Sequence, residues 1–176
     1  PYHADKSGVR IEVARSAASS LNHPFLLANQ VGGNDDLLFD GRSIIAWPDG
    51  TAVVAPAWKE GVLVADLSDP SKCIWKGEGD LVHLSPNQEF NEGDNDLLDA
   101  VITGLSDYCR KSGIKKIVLG LSGGIDSALA ACVASKAVGP DNVTGISMPS
   151  RHSSQHSIDD ATVSYTHLTL PTTQVV

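Results

Sequence analysis

The stretch KKIVLGLSGGIDSALAACVASKAVGP, residues 115–140, constrains the fold of this chain more than any other. A continuous apolar run at 116–121 has the length and the Ile/Val/Leu content of a strand buried on both faces of a parallel sheet. It ends in Ser122-Gly123-Gly124, and an Ala-rich helical pattern over 126–137 follows, stopped by Gly139-Pro140. In that order, the turn amides and the first free amides of the helix point at one centre, where the helix dipole favours negative charge. Glycine lets an anion approach the backbone with no Cβ in the way, and Ser122 and Ser127 add hydroxyl donors. Asp126 is tolerable beside a polyphosphate when Mg²⁺ bridges the two. The pattern therefore predicts a phosphate cradle, although a Gly-Gly turn before a capped helix also occurs in α/β proteins without a ligand. The lysine of G-x-x-x-x-G-K-[ST] is absent and G-x-G-x-x-G is not met, so P-loop hydrolysis and Rossmann-type dinucleotide docking both lose ground.

The rest of the chain divides by composition. Residues 9–21 place Val9, Val13, Ala14, Ala17 and Leu21 at helical spacing and predict a short amphipathic helix. Short β-type runs at 25–31, 43–47, 52–55 and 61–66 are separated by GGNDD, PDG and PAWKEG, which are turn and loop chemistries. Residues 68–94 carry SDPSK, KGEGD, SPNQ and NEGD with only isolated hydrophobics, and read as a surface connection between domains. Beyond it, 96–111 is helical, with Leu97, Val101, Leu105, Tyr108 and Cys109 expected on one face and Gly113 as the stop. NVTGISM at 142–148 predicts a second buried strand. Helix, strand, loop, helix, strand is the order of an open α/β sheet with right-handed crossovers, whose ligand site lies beyond the strand C-termini.

Composition narrows the function classes. The chain has 176 residues, 41% of them hydrophobic, enough to bury a core. Its 13 basic against 21 acidic residues, net −8, offer no basic stripe for a phosphate backbone, so nucleic acid is not the expected partner. No apolar run reaches the length of a membrane span, and PYHADKSGVR at the N-terminus has no hydrophobic signal region. Cys73, Cys109 and Cys132 are odd in number and show neither CxxC nor Cys/His metal spacing. They read as reduced thiols of a cytoplasmic protein, with Cys109 and Cys132 serving as small packing groups rather than nucleophiles. His152 and His156 are four apart with no third ligand evident, which favours a hydrated surface over a metal site.

The string GLSGGIDS, Gly120 to Ser127, resembles the pyrophosphate loop of the ATP pyrophosphatases, which split ATP between its α and β phosphates to adenylate a substrate. VTGISMPSRHSSQHSIDDA, Val143 to Ala161, resembles the stretch that follows this loop in NAD synthetases. NQVGGNDDLLFDGRS, Asn29 to Ser43, resembles the late part of the nitrilase-like glutaminase domain fused to them in the glutamine-dependent enzymes. The resemblance spans about 1–163. It implies the end of a nitrilase-like α/β sandwich at 1–67, a linker at 68–94, and at 95–163 the first part of a doubly wound parallel-sheet ATP pyrophosphatase domain. It further implies an ATP site at Gly120, Leu121, Ser122, Gly123, Gly124, Ile125, Asp126 and Ser127, with Arg151 as an added ATP contact and Asp126 on Mg²⁺. Lys6 matches the position after the family's SPY motif where a basic residue helps bind glutamine. The glutaminase triad of cysteine, glutamate and lysine would precede Pro1.

The implied activity is ATP-dependent amidation of nicotinic acid adenine dinucleotide to NAD, with glutamine as the ammonia source, in a homo-oligomeric ligase. Two other readings stay open: a nucleotide-binding module without chemistry, and another pyrophosphate-loop synthetase such as a tRNA-modifying enzyme. After Val163 the chain departs from the family pattern. SYTHLTLPTTQVV resembles translated sequencing-adapter sequence, so 164–176 reads as an artefactual tail on a truncated piece that is inactive alone.

Overall fold

The computed structural model describes residues 1–4, 6–91, 93, 95–147, 163 and 172–174. The chain divides into two compact units, Pro1–Ala100 and Val101–Val176.

In the first unit, helix α1 (Ser7–Leu21) packs on an antiparallel four-stranded sheet of order β1-β4-β5-β8. Its strands are β1 (Phe25–Leu27), β4 (Ile44–Ala46), β5 (Ala52–Val54) and β8 (Val82–Leu84). The helix buries Ile11, Ala14 and Ala18 against Ile44, Ala46, Ala52, Val54 and Leu84. This corrects the expected face: Val9, Val13 and Leu21 are 60%, 58% and 61% exposed. At 3.6 residues per turn, Val9 and Val13 lie on the far side of the helix from Ile11 and Ala18. The sheet takes the side with small alanines because they let the helix approach closely. Asn22, in the left-handed region at φ 51°, ends the helix, its amide and that of His23 bonding to the carbonyls of Ser19 and Ala18.

The opposite face of the sheet, carrying Ile45, Trp47 and Val53, receives a hairpin of β6 (Gly61–Ala65) and β7 (Cys73–Gly77) through Leu63, Ala65 and Cys73. Gly61 and Gly77 face each other across this hairpin, and a Cβ on Gly61 would stand 2.4 Å from the Trp75 ring. The glycines are what allow that ring to lie over the strands. A second hairpin, β2 (Val31–Asn34) and β3 (Leu37–Asp40), turns through Asp35 at φ 51°.

The expected strands at 43–47, 52–55 and 61–66 appear as β4, β5 and β6, whereas 25–31 is interrupted between β1 and β2. Residues 68–94 differ more: they carry β7 and β8, and Leu84 is 2% exposed. Their polar, turn-rich composition hides strands of 5 and 3 residues, too short for a period to register.

In the second unit, β9 (Ile117–Leu121) and β10 (Val143–Ser147) pair in parallel, Ile117 opposite Val143 and Leu121 opposite Ser147. β11 (Thr172–Gln174) adds a parallel strand beside β10. Helix α3 (Ile125–Val138) joins β9 to β10, burying Ala131 and Ala134 with Leu121 and Val143 while Ile117 and Leu119 pack alongside. Only one face of β9 is covered among the described residues, since Val118 is 63% exposed, which corrects the expectation of burial on both faces. Helix α2 (Asp96–Lys111) turns Leu105 toward this core and buries Cys109, but Leu97, Val101 and Tyr108 are exposed, contrary to the single apolar face expected.

Gly145 is buried where β10 meets β9, and a Cβ there would lie 2.6 Å from Leu121 Cδ1. Gly145→Val is therefore expected to destabilise the second unit by about 1–3 kcal/mol through overpacking. Urea unfolding followed by circular dichroism, beside Val118→Thr on the open face as a near-neutral control, measures it.

Candidate functional site

Leu121, the last residue of β9, is 5% exposed and anchors the chain in the core, and the loop leaves the sheet at Ser122. Gly123 takes φ +80°, a left-handed conformation that a residue with a Cβ adopts only at a cost. Gly124, at φ −87° and ψ 156°, is the N-cap of α3 and brings no side chain to the helix amides. The hydroxyls of Ser122 and Ser127 instead brace the loop from within. The Ser122 amide donates to Ser127 Oγ at 3.3 Å, the Gly124 amide donates to Ser122 Oγ at 3.3 Å, and Ser127 Oγ donates to the Gly124 carbonyl at 2.8 Å. The two hydroxyls are themselves 3.2 Å apart.

The first helical hydrogen bond runs from the Ala128 amide to the Gly124 carbonyl. The amides of Gly123, Ile125, Asp126 and Ser127 have no acceptor among the described residues. They add to the positive end of the α3 dipole, as an anion site requires. Asp126, exposed in the first turn of α3, has no cationic partner among the described residues. The structure thus brings together all eight residues expected at 120–127: Gly120 and Leu121 end the strand, Ser122 to Gly124 form the loop, and Ile125 to Ser127 open the helix.

Residues 97–176 match the NAD synthase family. Over 92% of its length the chain is 42% identical to the glutamine-dependent NAD(+) synthetase of Rhodobacter capsulatus and 41% identical to that of Synechocystis. It spans about 28% of the length of those relatives. The structure of the glutamine-dependent NAD+ synthetase from Acinetobacter baumannii in complex with adenosine diphosphate superposes with a TM-score of 0.81 at 31% identity, covering 99% of this chain and 32% of that one. The fold is shared by the glutamine-dependent NAD(+) synthetase from Cytophaga hutchinsonii, with a TM-score of 0.64.

Two expected site residues, Lys6 and Arg151, are not part of the 120–127 segment. Lys6 is exposed at the N-cap of α1, in the first unit, and its side chain does not cap the helix. Arg151, with His152 and His156, lies outside the described residues. All three cysteines are free thiols. Burial and the nearby Asp69 push the Cys73 thiol up, away from the thiolate a nucleophile needs, and Cys109 is 3% exposed. No helix among the described residues is long and apolar enough to cross a membrane.

Sequence reasoning missed a buried charge cluster in the first unit. Asp40, fully buried, accepts from Arg10 Nη1 at 2.8 Å, from Arg10 Nη2, and from Arg42 Nη1 at 2.9 Å. Arg42 then reaches Asp96 with Nη2 to Oδ1 at 2.5 Å. Burial pushes both carboxyls up, but the arginines outweigh it and hold Asp40 and Asp96 below the ordinary carboxylate value. The one sequence signal is FDGR, an acid and a base packed between apolar β-type runs.

Proposed function

We propose that this chain carries the nucleotide-binding loop of an enzyme that amidates nicotinic acid adenine dinucleotide to NAD, using ATP and ammonia drawn from glutamine. The observation that carries the reading is the set of amides at the start of α3 that have no acceptor among the described residues, in a loop braced by Ser122 and Ser127, within the segment that matches the NAD synthase family. The nucleotide seen with the Acinetobacter baumannii relative supports an adenine nucleotide as ligand.

The chemistry needs an anion cradle. The dinucleotide's nicotinic carboxylate is a poor acyl donor until its oxygen attacks the α-phosphorus of ATP, which expels pyrophosphate and leaves an acyl adenylate. Ammonia then attacks the acyl carbon, AMP leaves, and the amide of NAD forms. In this scheme the amides at 123–127 and the Ser122 and Ser127 hydroxyls hold the departing pyrophosphate, already oriented before charge develops on it.

Asp126 suits Mg²⁺. Among the described residues no group of three or more His, Cys, Asp or Glu side chains is placed to hold a metal. One exposed carboxylate beside the phosphates fits an ion that keeps water and phosphate oxygens as its other ligands. Bound there, Mg²⁺ supplies neutralisation of the leaving pyrophosphate.

The same reading assigns Arg151 to ATP and Lys6 to glutamine, and places a homo-oligomeric ligase in the cytoplasm without nucleic-acid or membrane partners. Residues 1–67 then close a glutaminase part and 95–163 open the synthetase part.

Pyrophosphate release, assayed with ATP, Mg²⁺, ammonia and nicotinic acid adenine dinucleotide in the reading frame at the length of the relatives, tests it. Asp126→Ala is expected to lower the rate by about a hundredfold or more. Turnover that persists in that variant, or that does not depend on the dinucleotide, overturns the assignment.

A further inference from the structure

The segment between β8 and α2, read from its turn residues as a surface connection, is clamped within the first unit by two arginines of opposite habit. Arg15, 7% exposed, donates Nη2 to the Ser85 carbonyl at 2.8 Å and Nη1 to the Gln88 carbonyl at 2.9 Å. These are backbone acceptors, which a side-chain substitution at either residue leaves in place. Arg42, 5% exposed, lies 5.7 Å from the Phe90 ring centroid and grips the Asp96 carboxylate, which also accepts from Trp58 Nε1 at 2.9 Å. Tyr2 packs edge-on against Trp58, ring centroids 5.0 Å apart, and its side chain also bonds Asp96.

Two further observations concern the socket that receives Asp96. Arg42 and Trp58 both hold left-handed backbone, at φ 50° and 58°, a conformation bulky residues keep only where their surroundings over-determine it. Arg42 Nη1 also donates to Asp40 Oδ2 at 2.9 Å, so the guanidinium has an anchor that does not depend on Asp96.

We propose that Asp96 is a latch within the first unit: its carboxylate, seated between Arg42 and Trp58, holds the first turn of α2, and its release frees that turn while the Arg15 clamp stays closed. The latch depends on a charge, whereas the Arg15 clamp depends on backbone carbonyls. This inference stands apart from the nucleotide reading, because it needs no ligand at the loop.

Amide hydrogen exchange of the whole chain, compared among the native sequence, Asp96→Asn and Trp58→Phe, tests it. In Asp96→Asn, the amides of Asp96, Asp99 and Ala100 are expected to exchange about tenfold to a hundredfold faster, as the loss of charge-assisted hydrogen bonds predicts. Those of β4, β5 and residues 85–88 should keep their native rates. Trp58→Phe, which removes one donor and keeps the ring, should produce a smaller rise confined to the same amides. Unchanged exchange at Asp96, Asp99 and Ala100 overturns the proposal. So does a rise of equal factor in β4 and β5, the signature of general destabilisation.

Discussion

Asp40→Ala is expected to cost the first unit about 3–5 kcal/mol, the usual penalty for removing one partner of a buried ion pair. Asp40 has no exposed surface and holds two guanidinium groups as well as Asn29 Nδ2, at 3.3 Å. Without it, Arg10 and Arg42 would face each other in the interior with one charge too many. Against a total stability of about 5–15 kcal/mol, that loss leaves the variant close to unfolded at moderate temperature. Glu12→Ala is the control: Glu12 also pairs with an arginine, but its side chain is 67% exposed, so its loss should cost less than about 1 kcal/mol. Chemical denaturation of both variants reads the difference.

The same cluster sets the acid limb of stability. Asp40 and Asp96 ionise in the folded chain below their ordinary 3.8, because their arginine partners outweigh the cost of burial. Their stabilisation is therefore fully present above about pH 4, and is lost as pH falls through the lower folded values. Asp40→Ala should flatten that limb as well as lower the plateau. A variant whose stability falls with acid as steeply as the native chain's would count against this assignment.

How much of this was readable in the chain depends on how local the cause is. Strand β9, the glycine turn and α3 follow from an apolar run, two glycines and an alanine-rich period within about 20 residues, and all three are present. The buried side of α1 was not readable, because Val9 and Val13 on one side and Ile11 and Ala18 on the other are both apolar. Only the sheet decides between them, and it selects the alanines. Strand β2 has the sequence VGGN, where two glycines lower strand propensity and pairing with β3 overrides it. The charge cluster was least legible, since Arg10 and Asp40 are 30 positions apart and Arg42 and Asp96 are 54 apart. No window-based pattern spans such distances. At the loop the sequence located the turn between β9 and α3 but treated its two glycines alike, and there the structure separates them.

Gly123→Val is expected to abolish measurable nucleotide binding, whereas Gly124→Ala should leave the fold intact. The difference is conformational. Gly123 sits at φ +80°, where a β-branched residue is strained by about 1–3 kcal/mol, and relieving that strain would change the loop backbone and the orientation of its amides. Gly124 is at φ −87°, an ordinary value for any residue, and a Cβ there would meet nothing closer than Ser122 Oγ at 3.4 Å. Backbone geometry therefore does not require glycine there, and on the proposed reading its role is to keep the approach to the amides open. Calorimetric titration with ATP and Mg²⁺, set beside thermal unfolding of each variant, distinguishes the two roles. Gly124→Ala should melt within a few degrees of the native chain yet bind about tenfold or more weakly if a phosphate comes against the backbone there. Native affinity in Gly124→Ala would mean that the phosphates are held elsewhere on the helix terminus. Native affinity in Gly123→Val would remove the loop amides from the site altogether.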